Sequence, residues 1–123
     1  MEDYMNHIVC IDYENRADIT NLRCYSDVKY VSFIGKNQKD NLKAQPGTRL
    51  SRKRMNQVGK DFLDWNIIEY VNNRLNNEDT KFLIVSDDGI FDSFSKFVNM
   101  THNKNIVEKI SRKKWKTLNL EIN

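Results

Sequence analysis

The chain has 123 residues, and its 20 lysines and arginines outnumber its 17 aspartates and glutamates by three. This length fits a single domain, residues 1–123, and so small a charge excess does not by itself indicate a nucleic-acid partner. No apolar run is long enough to cross a membrane and no basic, apolar leader is present, so we expect a soluble, cytoplasmic protein without a membrane partner. Two cysteines, Cys10 and Cys24, favour a reducing compartment over a disulfide-stabilised secreted domain.

The first half of the chain contains one strongly predicted strand. Residues 7–11 are a continuous apolar run that ends in Asp12, which is typical of a strand buried on both faces of a parallel sheet. A second β-rich run, residues 28–34, stops at Gly35. Three further elements are predicted from weaker patterns: short helices at 18–22 and 37–45, and a strand within the polar segment 48–57.

The second half alternates clear helices and strands. Residues 61–75 are the clearest helix, because apolar side chains recur on one face. Residues 81–86 predict another buried strand, which runs into Asp87 and Asp88. The remaining predictions are a helix at 91–98, a strand at 105–110 and a basic C-terminal segment at 111–123. Alternation of strands and helices over the whole length indicates an α/β fold with a parallel sheet.

Two aspartates follow the two buried strands. Asp12 and Asp88 would lie at the carboxyl ends of parallel strands, where open α/β sheets bind their ligands. Either residue alone could equally be a turn residue or a helix cap. Asp64 lies on the apolar face of the predicted helix, where a carboxylate needs a positive or hydrogen-bonding partner, although the free N–H groups of the first turn could supply one. We expect Asp61, at the helix start, to act as a cap.

Asp92 completes the candidate acidic site. It follows Asp88 by four residues, a spacing at which like charges on a helix repel each other. A divalent cation would reverse that interaction, and oxygen ligands suit Mg²⁺ or Mn²⁺. The sequence therefore predicts one metal site, with these four residues as its ligands and catalytic groups: Asp12, Asp64, Asp88 and Asp92.

Basic residues crowd into one segment that could contact nucleic-acid phosphates, namely Arg49, Arg52, Lys53, Arg54 and Lys60. The alternative is a solvated charged stretch. A cation-lined approach is nevertheless what an anionic substrate needs beside an acidic site. In the C-terminal segment, Trp115 could stack on a base or could pack the segment onto the domain.

Three blocks of sequence carry a family resemblance. Residues 8–15 form a strand that ends in Asp-x-x-Asn, residues 59–60 (Gly-Lys) precede Leu-Asp-Trp at 63–65, and residues 82–92 form a strand that ends in Ser-x-Asp and is followed by Phe-Asp. In composition, order and spacing these blocks resemble the PIN-like nuclease superfamily, specifically its small bacterial and viral PIN-like or NYN-type domains. Three features depart from the family pattern: Gly89 stands one place early, the predicted helix runs Val-Asn-Asn at 71–73 where the family often ends in Leu-Gly, and Asp87 is an additional acid. Either Asp87 or Asp88 could therefore face the metal.

The resemblance implies a three-layer PIN-like sandwich around a mostly parallel five-stranded sheet. The first and fourth strands of that sheet would be central neighbours, which would place Asp12 beside Asp88 with Asp64 opposite. In this family such acids bind Mg²⁺ or Mn²⁺ ions that activate water to cleave a phosphodiester, usually in RNA. The resemblance therefore implies a metal-dependent ribonuclease, with RNA preferred over DNA.

Three residues would support the acids in this reading. The resemblance implies that Asn15 and Ser86 orient the carboxylates, and Glu14 is a possible addition.

The main rival enzyme is a phosphatase similar to the haloacid dehalogenase class, but Glu14 stands where that class normally has Asp. The non-enzymatic alternative is a degenerate PIN-like module that binds nucleic acid or protein, and a homodimer also remains open.

Overall fold

The computed structural model describes residues 4–59 and 61–122. The elements, in chain order, are β1 (Asn6–Asp12), β2 (Asn21–Leu22), β3 (Val28–Ile34), β4 (Lys43–Ala44), β5 (Arg49–Arg54), α1 (Phe62–Asn72), β6 (Thr80–Val85), α2 (Ile90–His102), β7 (Val107–Ile110) and α3 (Arg112–Leu118). Five strands form one sheet in the order β5-β3-β1-β6-β7, and every pairing in it is parallel. The predicted α/β fold with a five-stranded sheet is confirmed.

The sheet is covered on both faces. On β1, Ile11 packs into the same core as Trp115 of α3, whereas Cys10, which points to the opposite face, packs with Ile67 of α1 and Phe91 of α2. The sheet therefore lies between one layer that contains α1 and α2 and another that contains α3. This is a three-layer sandwich, and the burial on both faces explains why β1 is apolar at successive positions.

The two strongly apolar strands are neighbours at the centre of the sheet. β1 lies between β3 and β6, and Ile11 is in register with Val85. β6 is the fourth of the five sheet strands in chain order, so the predicted adjacency of the first and fourth strands is confirmed. Asp12 and Ser86 consequently lie at the same carboxyl edge.

Two predicted short helices are wrong. Residues 18–22 contain β2 and residues 37–45 contain β4, and these two-residue strands pair with each other. In the first segment, the carboxylate of Glu121 accepts hydrogen bonds from the backbone N–H groups of Thr20 (2.6 Å) and Asn21 (3.3 Å). That contact holds the segment extended and comes from a residue about one hundred positions away, so the local pattern could not reveal it.

The helices are short. α1 has 11 residues, α2 has 13 and α3 has 7. Within residues 4–59 and 61–122, none combines the length and apolar character needed to cross a membrane. Both cysteines are free thiols, with Cys10 buried in the core and Cys24 exposed.

Candidate metal centre

Three carboxylates meet at the carboxyl edge of the sheet. One oxygen from each of Asp61, Asp64 and Asp88 lies within 4.8 Å of the other two. Asp64 comes from the first turn of α1, Asp61 directly precedes that helix, and Asp88 comes from the loop between β6 and α2. These three acidic residues can hold a metal ion, and an all-oxygen donor set suits a hard cation.

Asp12 lies at the end of β1 and is fully buried. Its Oδ2 accepts hydrogen bonds from Asn15 Nδ2 at 2.6 Å and from Ser86 Oγ at 2.8 Å. Its Oδ1 is equally buried and has no hydrogen-bond partner among the residues that the structure describes. A buried carboxylate oxygen without a partner is unfavourable, and the charge of Asp12 lies near enough to the cluster to raise the pKa of Asp64.

Ser86 connects Asp12 to the loop that carries Asp88. Its hydroxyl donates to Asp12 and also accepts a hydrogen bond from the Asp88 backbone N–H at 3.0 Å. The Oδ1 of Asp88 in turn accepts from the Ile90 backbone N–H at 3.0 Å, at the start of α2. These bonds fix Asp88 in the cluster, whereas its neighbour Asp87 is exposed. Asp88 is therefore the residue of the pair that faces the other acids.

Burial and mutual repulsion raise the pKa values of two carboxyl groups at this site, those of Asp64 and Asp12. Burial, the charge of Asp12 and the hydrogen bond and charge of Asp88 raise the pKa of Asp64 to about 7. Burial also raises the pKa of Asp12, against the opposing effect of the hydrogen bonds from Asn15 and Ser86. The metal-free cluster therefore retains a proton near neutral pH, and a bound cation would favour its release.

Asp61 is the ligand candidate that the sequence analysis did not select. It was expected to cap α1, but its side chain makes no capping hydrogen bond within the described chain, and its φ of 61° lies in the left-handed region. Few residues other than glycine adopt that conformation, and those that do often lie at functional sites. The available signal was spacing, because residues three apart at a helix start share one side, as Asp61 and Asp64 do.

Of the four predicted ligands, Asp64 and Asp88 meet in the cluster, whereas Asp12 and Asp92 are not among its three carboxylates. The carboxylate of Asp92 is exposed and pairs with Lys109 Nζ of β7 at 2.9 Å. Because α2 begins only at Ile90, residues 88–92 do not form the single helical turn that the prediction assumed. Glu14 is exposed, and its Oε2 lies against the backbone of Gly35.

The arginines of the predicted basic segment lie on the edge strand β5 and form hydrogen bonds with nearby loops of the same protein. Arg49 donates to the carbonyl of Ser26 at 3.0 Å. Arg52 pairs with Asp40 at 2.6 Å. Arg54 donates to three carbonyl groups in residues 35–38, the shortest bond being 2.7 Å. These guanidinium groups stabilise the loops around β5 through hydrogen bonds, and their spacing in the sequence does not indicate this role.

Lys53 differs from these arginines. It is exposed, and its Nζ lies 5.6 Å from the centroid of the Tyr70 ring. Lys60, the last residue of the predicted basic segment, lies outside the described residues.

A cleft of about 620 Å³ separates β5 from α1. We call it the basic cleft, and the residues that line it are Phe33, Arg52, Lys53, Arg54, Met55, Asn56, Phe62, Asn66, Glu69, Tyr70, Asn73 and Arg74. The Arg74 guanidinium stacks on the Tyr70 ring at 3.6 Å, on the opposite wall from β5. The lining runs from Phe62, in the same helical turn as Asp64, to Arg74 beyond the end of α1. Phe62 is two residues from Asp64 in sequence, but none of the three carboxylates of the cluster lines the cleft.

The two tryptophans have different environments. Trp115 is buried, and its Nε1 donates to Glu121 Oε2 at 3.2 Å, so of the two alternatives the packing role is confirmed. Trp65, directly after Asp64 on α1, has 59% of its surface exposed. Trp65 is therefore an exposed aromatic side chain next to Asp64 in sequence.

A scan against models of known protein families gives no match, and searches of curated proteins and of solved structures give none either. The resemblance to PIN-like nucleases consequently stays a prediction from three sequence blocks.

Proposed function

We propose that this protein is a divalent-metal-dependent ribonuclease of the PIN-like kind. The observation that carries the proposal is the convergence of Asp61, Asp64 and Asp88 in front of the buried Asp12, whose Oδ1 has no partner in the described chain. Such an arrangement is unfavourable without a cation and suits Mg²⁺ or Mn²⁺. The step from a metal site to phosphodiester hydrolysis rests on the resemblance to the PIN-like superfamily.

The chain's own residues would have distinct tasks in this reaction. Asp61, Asp64, Asp88 and Asp12 would hold the ion, which supplies a water of lowered pKa and stabilises negative charge on the phosphoryl oxygens. Asn15 and Ser86 would keep Asp12 in one orientation through the hydrogen bonds to its Oδ2. Because the pKa of Asp64 is raised, binding of the ion would favour loss of its proton.

Surface charge supports an anionic polymer as substrate. The basic cleft carries Lys53 and Arg54 on one wall and Arg74 on the other, against the single acidic residue Glu69 in its lining. Cations in this position offset the repulsion between a phosphate backbone and the acidic cluster. The exposed Trp65 adds a face on which an unpaired base can stack. We expect RNA as the substrate in preference to DNA, because the PIN-like superfamily that the sequence resembles acts mainly on RNA.

Cleavage of labelled single-stranded RNA and DNA in Mn²⁺ and in EDTA tests this proposal. We expect Mn²⁺-dependent RNA cleavage by the wild type that is lost, by at least about 100-fold, in Asp12→Asn and Asp88→Asn. Asp87→Asn is the matched control, because it removes an exposed acid directly beside Asp88, and it should retain activity.

Two results would overturn the proposal. Equal cleavage by all variants would indicate a contaminating nuclease. Nucleic acid left intact, with release of phosphate from small phosphomonoesters, would instead favour a phosphatase.

A further inference from the structure

One arginine is buried at the carboxyl edge of the sheet on the face that carries α3. Only 2% of the surface of Arg16 is exposed. Its Nε and Nη2 donate to the two carboxylate oxygens of Asp18 at 3.2 and 3.4 Å. Its Nη1 is buried without a hydrogen-bond partner in the part of the chain that the structure describes. A buried guanidinium that leaves one of its nitrogens unpaired is unfavourable, since it has donors and no acceptor of its own.

A small cavity adjoins this arginine. Its volume is about 50 Å³, and the residues that line it are Arg16, Asp18, Arg112, Trp115, Lys116, Asn119 and Glu121. By the same measure one water needs only about 10–15 Å³, so the space holds more than a single water. It is polar and small, which suits a compact oxyanion and excludes a nucleobase.

The cavity gathers positive charge from two separate segments. Arg112 and Lys116, both exposed on α3, join Arg16, and Arg112 Nη2 lies 3.5 Å from Asp18 Oδ2. Of the two acids in the lining, Glu121 already accepts hydrogen bonds on both oxygens, from the backbone N–H of Thr20 and from the indole of Trp115. Asp18 is shared between two arginines. Three cations thus face two acids that are already engaged.

The cavity is separate from the metal centre but close to it. The Arg16 backbone N–H donates to the carbonyl of Asp12 at 3.0 Å, so the two residues flank the same turn after β1. Their side chains take opposite sides: Asp12 faces the acids near α1, and Arg16 faces α3.

We propose that Arg16, Arg112 and Lys116 form a binding site for one phosphate group. A tetrahedral oxyanion accepts hydrogen bonds from several directions, and guanidinium groups pair with phosphate through two N–H donors at once. A phosphate in the cavity would lie against Arg16, which lines it, and would offset the charge of the two exposed cations. The inference does not depend on metal binding or on catalysis. The phosphate could be free in solution or at the end of a nucleic-acid chain.

Tryptophan fluorescence tests the site, because Trp115 forms part of the cavity wall. In a Trp65→Phe background Trp115 is the only tryptophan, and the titration is run in EDTA at constant ionic strength. We expect a saturable change in emission with inorganic phosphate and none with chloride. The change should be lost, or its midpoint raised at least tenfold, in the double variant Arg112→Gln/Lys116→Gln. Lys113→Gln, an exposed lysine next to Arg112, is the matched control and should respond like the parent.

A second arm identifies the source of the phosphate and guards against a misfolded variant. A dinucleotide with a 5′-phosphate is compared with the same dinucleotide without it, and thermal melting checks that each variant folds. Tighter binding of the phosphorylated dinucleotide than of inorganic phosphate would support the site and assign it to a nucleic-acid end. No saturable response to either phosphate source, or an equal response in the double variant and its parent, would overturn the proposal. Failure of RNA cleavage would leave this result unaffected, because the titration contains no metal.

Discussion

The side chain of Ser86 donates a 2.8 Å hydrogen bond to Asp12 across the junction of the two central strands, although 74 residues separate them in sequence. The same oxygen accepts from the Asp88 backbone. One hydroxyl group thus sets the position of two acids of the candidate metal centre. This arrangement depends on the parallel pairing of β1 with β6, which brings both strand ends to one edge.

Ser86→Ala should therefore weaken both folding and metal binding. It removes a donor from buried Asp12 and leaves the Asp88 N–H without its acceptor, so we expect a loss of about 1–3 kcal/mol in the free energy of unfolding. Mn²⁺ affinity should fall by about 10–100-fold, as is typical when a residue that orients a metal ligand is removed. Urea unfolding and Mn²⁺ titration measure these effects. Ser93→Ala, at an exposed position of α2, should change neither, and an unchanged Mn²⁺ affinity in Ser86→Ala would contradict the role given to Ser86.

The raised pKa of Asp64 predicts how stability of the metal-free protein varies with pH. Asp64 keeps its proton up to about pH 7 in the folded state, whereas the unfolded chain loses it near 3.8. The folded state therefore binds more protons between these values, and stability falls as the pH rises through this window.

Asp64→Asn should remove most of that decline and stabilise the metal-free protein at pH 8 by roughly 1–3 kcal/mol. Urea unfolding in EDTA at pH 5 and pH 8 measures the difference. Asp87→Asn removes an equal charge at an exposed position and should shift the free energy of unfolding by less than about 0.5 kcal/mol. An Asp64→Asn variant with the same pH dependence as the wild type would contradict the assignment.

Binding of single-stranded RNA in EDTA tests the basic cleft apart from catalysis. Lys53→Gln and Arg74→Gln should each weaken binding and lower the slope of log affinity against log salt by about one. Lys96→Gln on α2, an exposed lysine of another surface, is the control for a general loss of positive charge. An equal loss of affinity in Lys96→Gln would show that binding follows net charge and not the cleft.

The exposed Trp65 beside Asp64 should contribute base stacking. Trp65→Leu is expected to weaken binding of single-stranded RNA by about 1–3 kcal/mol, the range measured for one stacked base. Phe97→Leu, which shortens an exposed aromatic residue on α2, serves as the matched control. Fluorescence anisotropy with labelled RNA in EDTA gives both affinities, and equal affinities for Trp65→Leu and wild type would exclude stacking at this position.

The sequence predicted those residues of the site whose positions are set by strands and helices. β1 and β6 are continuous apolar runs, so their burial in a parallel sheet and the position of Asp12 and Asp88 at strand ends follow from pattern. The pairing of β1 with β6 was implied by the resemblance to PIN-like nucleases. Asp64 could be selected because it lies on the apolar face of α1. Asp61 was expected to cap the helix instead, and only its three-residue spacing from Asp64 indicated a place in the cluster, because the sequence does not signal its left-handed backbone conformation.

Contacts between distant residues account for the other differences. Lys109 of β7 binds Asp92, and Glu121 holds residues 20–21 extended, although neither partner is a neighbour in sequence. The arginines near β5 looked like a free basic surface, but loop carbonyls and Asp40 occupy much of their donor capacity. These pairings form only when the fold brings distant residues together, so the sequence pattern could not predict them.

Mn²⁺ binding measured by isothermal titration calorimetry is the most direct test of the metal centre. At pH 7.5 the wild type and the Asp87→Asn control should both show saturable binding, and Asp64→Asn should bind at least about tenfold more weakly. Binding that is absent from the wild type, or unchanged in Asp64→Asn, would contradict the proposal that Asp61, Asp64 and Asp88, together with Asp12, form a divalent-metal site.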